Sequence, residues 1–166
     1  MMQRQLPKRN RNRIEGFDYS TAGAYFITVC TAERKKLLWN TVGADIIRQE
    51  NLPLSTSGKI VEQAILQISQ HYNCVAIEKY CIMPDHIHML LRIYDPEGGR
   101  ILSAPTVSTV VGSMKRWASR QLGHPIWQKS YYDHGIRNQQ DYDETWRYIE
   151  NNPLKYLLKR TPEDER

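Results

Sequence analysis

The chain has 166 residues, which fits one domain with one core over residues 1–166, and its 40% hydrophobic and 25% charged residues are an ordinary globular balance. Cys30, Cys74 and Cys81 are odd in number and form no C-x-x-C pair, which argues against a disulfide framework and suits reduced thiols in a cytoplasmic protein. The charged N-terminus lacks the apolar stretch of a signal peptide, and no apolar run is long enough to span a membrane.

Lys and Arg outnumber Asp and Glu by 23 to 18, a net charge of +5. The excess is concentrated at the start. Arg4, Lys8, Arg9, Arg11 and Arg13 precede the first acid, Glu15, whereas residues 160–166 form a polar tail whose last five residues reverse the sign. A basic arm of this kind is a common nucleic-acid contact and also a common solvated chain start. Ten tyrosines and four tryptophans against two phenylalanines suit half-wet surfaces and base stacking.

In chain order, residues 25–31 read as a first strand, rich in β-branched and aromatic residues, followed by the basic run Arg34, Lys35, Lys36. Residues 51–58 read as a loop from their Pro, Ser, Thr and Gly content. Val61, Ala64, Ile65 and Ile68 then recur at helical spacing. Two strands follow, 75–82 and 86–94, joined by a tight turn at Pro84 and Asp85, and residues 95–99 end the second. A second helix carries Val107, Val110, Val111, Met114 and Ala118 on one stripe, with Pro105 near its start. Residues 126–136 hold a last strand, and 138–152 form a further helix stopped or kinked by Pro153. The order β-α-β-β-α-β with an extra C-terminal helix predicts an α+β, ferredoxin-like antiparallel sheet with two helices on one face.

The stretch His86-Ile87-His88-Met89-Leu90-Leu91-Arg92-Ile93 carries the most chemistry. Side chains alternate across a strand, so Ile87, Met89, Leu91 and Ile93 face the core while His86 and His88 share the other face. Two imidazoles at i and i+2 can converge on one metal ion, although the pair alone more often marks polar residues on a half-solvated sheet face. Cys81 is in phase with Val75 and Ile77 and is expected in the core.

On the last helix, Tyr142, Trp146 and Ile149 form the buried stripe. Tyr148 lies off it and shares a face with Asn152, four residues on. A phenol and an amide oxygen side by side suit phosphoryl transfer, or are an exposed aromatic beside a helix end.

The segment from Cys81 through Met83, Pro84, Asp85, His86 and His88 to Leu90 resembles the signature of the single-tyrosine HUH transposases. Residues 127–137 followed by 148–153, together with 16–20 and 24–31, resemble the REP-associated tyrosine transposase branch, and the likeness spans roughly residues 4–157. The resemblance implies a ferredoxin-like HUH domain with His86 and His88 as the histidine pair, Tyr148 as nucleophile and Asn152 as third metal ligand, where many relatives carry Gln. It implies Mg²⁺ or Mn²⁺ as the ion, a 5′-phosphotyrosine intermediate, and repeated imperfect palindromes folded into single-stranded DNA hairpins as substrate.

Lys115, Arg116 and Arg120 lie off the valine stripe with Trp117 beside them, a pattern that fits a DNA backbone track or a solvated helix face. His134, Tyr131 and Tyr132 are expected to pack, and His71 and His124 to be structural or exposed. The expected protein is a cytoplasmic, nucleoid-associated DNA endonuclease and transesterase, a monomer or homodimer. A hairpin-binding domesticated transposase without catalysis, or another HUH nuclease, is the alternative.

Overall fold

A computed structural model describes residues 22–40, 53–94 and 105–159. The basic arm, the acidic tail and the turn expected at 95–99 lie outside them. Strands β1 (Gly23–Cys30), β2 (Val75–Ile82), β3 (His86–Ile93) and β4 (Tyr132–Gly135) form one antiparallel sheet in the order β2-β3-β1-β4. Helices α1 (Thr56–His71) and α2 (Val107–Leu122) cover one face, and α3 (Gln139–Lys159) crosses the other. This is the ferredoxin-like arrangement the sequence predicts, with its extra helix.

Pairing follows from the alternation. Ile87, Met89 and Leu91 sit opposite Val29, Ile27 and Tyr25, and all six are at most 1% exposed beneath Val61, Ile65, Val107, Val110 and Val111. Burial of each such side chain contributes roughly 1.5–3 kcal/mol, so this face fixes the register. The same register sends Thr28 and His88, a cross-strand pair, to the α3 face.

The structure corrects several expectations. The loop expected over 51–58 gives way to helix at Thr56. Ser55 caps it, its hydroxyl accepting from the Gly58 amide at 3.0 Å. Gly58 is there for close approach, since a Cβ would stand 2.1 Å from the Leu38 carbonyl oxygen. The last strand is shorter than 126–136. Trp127 makes a bridge to Thr31, and regular pairing resumes only at Tyr132. Pro153 does not end α3, which runs on to Lys159. Tyr156 and Leu157 pack against the core, with Tyr156 edge-on to Trp39 at 5.6 Å, and this burial offsets the missing proline N–H.

Cys81 is buried but not with Val75 and Ile77. A β-bulge between Ile77 and Lys79 adds one residue to β2, so the phase reverses and Cys81 pairs with His88 on the α3 face. Burial pushes its thiol up to about 12, against weaker opposing pulls from the His88 backbone and Lys79. It is an inert neutral group there.

Candidate active site

His86 opens β3, directly after the turn at Pro84 and Asp85. That turn is pinned from β1's end: the Thr31 amide donates to the Asp85 carbonyl at 2.9 Å, and the Leu38 amide donates to the Pro84 carbonyl at 2.9 Å. The imidazoles of His86 and His88 meet with Nε2 atoms 3.1 Å apart. Their outer nitrogens are both engaged. His86 Nδ1 lies 2.6 Å from Asp85 Oδ1, and His88 Nδ1 lies 2.8 Å from the Thr28 hydroxyl. The carboxylate can only accept, so the His86 proton sits on Nδ1 and its Nε2 presents a lone pair. Asp85 is in turn paired with Arg34, Nε to Oδ2 at 3.0 Å.

Burial, reinforced by the neighbouring His86 and Arg34 charges, pushes His88 down to about 3. Burial also lowers His86, against the opposing pull of Asp85. Both rings are therefore neutral at pH 7, the form that binds metal. The donor set fits a divalent ion. Two nitrogens each about 2.1 Å from one ion and about 90° apart would stand about 3 Å from each other, close to the observed spacing. Among the described residues no group of three or more His, Cys, Asp or Glu is placed to hold a metal ion.

Tyr148 supplies the wall. Its ring stands edge-on to His88 at 5.2 Å and edge-on to Phe26 at 5.8 Å, while Phe26 stacks on His88 at 5.2 Å. Tyr148 is nonetheless 48% exposed, whereas Thr145 and Ile149 on the same helix are buried. Tyr142 and Trp146 pack partly against the core, so the stripe is as predicted with Thr145 added. Half-buried Asn152 lies one turn beyond Tyr148 on the uninterrupted helix.

α3 is fastened along its length. The Tyr142 hydroxyl donates to Glu78 at 3.0 Å, and Glu78 also accepts from Arg92. Lys79 pairs with Glu150 at 3.0 Å and lies over the Trp146 ring. At the start of the helix, Asp141 meets His134 of β4 at 2.9 Å. These contacts on β2 and β4 hold Tyr148 above the strands that carry the histidines.

The predicted basic residues that the structure describes do not form one surface. Arg34 belongs to the histidine site, held through Asp85, with Glu33 and Arg34 both in the left-handed region at φ 54° and 57°. Such backbone costs of order 1 kcal/mol per residue and is found where a site demands it. Lys35 and Lys36 are exposed, Lys35 pairing with Glu33. Lys115, Arg116 and Arg120 lie on α2, across the sheet from the cleft. Lys115 is committed to the carbonyls of Gln128 and Lys129, at 2.6 and 3.3 Å. The aromatic beside Arg116 and Arg120 is Trp127, not Trp117. At roughly 100° per residue Trp117 turns to the α1 side, where it lines a cavity with Ala64 and Met114. Arg4, Lys8, Arg9, Arg11 and Arg13 lie outside the described residues. Sequence reasoning missed Thr28, Phe26 and Asp85. Only Asp85, adjacent to His86, carried a local signal; the others come in through strand pairing.

Among the described residues no helix is long and apolar enough to cross a membrane. The profile of the family described as "Transposase IS200 like" matches residues 20–152. The chain is 28% identical to a Haemophilus influenzae protein with no assigned function, over 88% of each chain. It is 26% identical to the REP-associated tyrosine transposase of Escherichia coli K12, over 83% of this chain and 70% of that one. A solved REP-associated tyrosine transposase bound to a REP hairpin shares the fold, with a TM-score of 0.60 at 24% identity, over 87% of this chain and 74% of the other. With the profile spanning well over half its length, the chain belongs to the IS200-like transposase family.

Proposed function

We propose that the protein is a metal-dependent single-strand DNA endonuclease and strand transferase, acting on hairpins formed by repeated palindromic DNA, with Tyr148 as nucleophile. The observation that carries the reading is the Tyr148 ring packed 5.2 Å from His88, above two neutral histidines whose Nε2 atoms converge to 3.1 Å. The hairpin bound to the solved relative supports the substrate class.

His86, His88 and Asn152 would hold a Mg²⁺ or Mn²⁺ ion, which would offset the charge on the scissile phosphate, and two imidazole ligands would favour Mn²⁺. Asp85 and Thr28 fix the imidazole orientations from behind. Phe26 and His88 pack against the Tyr148 ring and limit its swing, which would lower the cost of orienting its oxygen for in-line attack. The phenol oxygen bonds to phosphorus as the bond from phosphorus to the 3′ oxygen breaks. The phenol loses its proton and the 3′ oxygen gains one. The products are a 5′-phosphotyrosine and a free 3′-hydroxyl. The ester keeps the phosphodiester's bond energy, so another 3′-hydroxyl can reverse the step on a second strand.

The test is incubation with a hairpin oligonucleotide and Mn²⁺, followed by denaturing electrophoresis. A covalent protein–DNA adduct is expected, lost on chelation and in His86→Ala. Undiminished adduct in a His86→Ala/His88→Ala double variant would contradict the metal role.

A further inference from the structure

The second half of α2 and residues 125–129 enclose an open groove of about 440 Å³ on the helix-covered side of the sheet. It lies at the end of the sheet where the active site begins: Trp127 bridges Thr31, and the preceding residue, Cys30, pairs with His86. Arg116, Arg120 and Lys129 line it and are exposed. No acidic residue occurs between Glu97 and Asp133, so nothing within that stretch neutralises them. Lys115 reaches back to two carbonyls and shapes the wall. Trp127 is nine-tenths buried and forms part of that wall.

We propose that this groove is a second nucleic-acid site, taking the backbone phosphates of the DNA strand that continues past the Tyr148 cleft around the end of the sheet. The assignment rests on the reading of DNA as substrate. Its chemistry is independent of cleavage. Two guanidiniums offer planar forks to phosphate oxygens, and Lys129 adds a point charge. The site would position the strand without reading its bases.

The experiment is fluorescence anisotropy of a labelled hairpin oligonucleotide with a single-stranded flank, over salt from about 50 to about 200 mM. In Arg116→Gln/Arg120→Gln/Lys129→Gln, affinity should fall tenfold or more, and the slope of log K against log salt should become shallower by about 2, at roughly 0.7 per single-strand phosphate contact. Ser119→Glu, which removes no cation and adds a negative charge to the groove lining, should also weaken binding several-fold. Affinity and slope equal to the unaltered protein in both the triple variant and Ser119→Glu would overturn the proposal. The two readings fail separately. Groove-dependent binding without any adduct removes the catalytic one, and an adduct with unchanged binding in these variants removes the groove.

Discussion

At the residue scale the site depends on two histidines kept neutral by burial. His88 is 4% exposed and pushed down to about 3, against an ordinary 6.5. Between those values the unfolded chain binds a proton at this position and the folded chain does not, so stability rises with pH across the window and falls on acidification. His88→Gln removes the titrating group and should flatten this dependence. Urea unfolding at about pH 4 and about pH 7 checks it: a larger acid loss in the unaltered protein is expected, and equal losses would contradict it. The His88 ring also fills space between Phe26 and Tyr148, so His88→Ala leaves a gap and His86→Ala is the cleaner probe of metal binding. The shared face of His86 and His88 was legible because strand alternation is local. Their partners were not. Thr28 is 60 positions from His88, and only the register of β1 on β3 brings them together.

At the scale of elements, two irregularities decide what faces the site. The bulge in β2 gives Glu78 no partner in the ladder and turns it toward α3, where it accepts from Tyr142 and Arg92. Glu78→Ala would leave a half-buried guanidinium and hydroxyl without their acceptor. It should cost about 1–2 kcal/mol and slow adduct formation more than it weakens hairpin binding, since α3 carries the proposed nucleophile. Equal effects on rate and affinity would show that the link does not position Tyr148. Gly58 is the second case. Gly58→Ala puts a methyl group into the Leu38 carbonyl and should destabilise the fold by about 1–3 kcal/mol, read by chemical denaturation. The helix stripes and the β-α-β-β-α-β order were legible because each is periodic. The bulge was not, because one inserted residue leaves no mark in composition yet reverses the phase of everything after it, Cys81 included. Ser, Thr and Gly before α1 suggested a loop, although there they are the cap and a point of close contact.

At the scale of the whole molecule, one sheet face makes the core and the other makes the chemistry. α1 and α2 close the first, while α3 leaves Tyr148 half exposed over the second. Positive charge is spread over Arg34 beside the cleft, the groove on α2 and the arm at residues 4–13, so hairpin binding should weaken steeply with salt. Deleting residues 1–13 should lower affinity and make the slope shallower, by anisotropy; no change in either would remove the arm from the interface. The central claim is the identity of the nucleophile, because the chain has other tyrosines nearby. Tyr142 is bonded to Glu78, Tyr131 lies 2.7 Å from the Ser108 hydroxyl, and Tyr132 is 45% exposed on β4. Among the described tyrosines only Tyr148 has its ring against His88 and a side-chain amide one helical turn on. Tyr148→Phe keeps the ring contacts, so it should abolish the covalent adduct while hairpin affinity stays unchanged. The most direct measurement is protease digestion of the trapped adduct and mass spectrometry of the DNA-linked peptide. The account predicts the link on Tyr148; a link on Tyr131, Tyr132 or Tyr142 would contradict it.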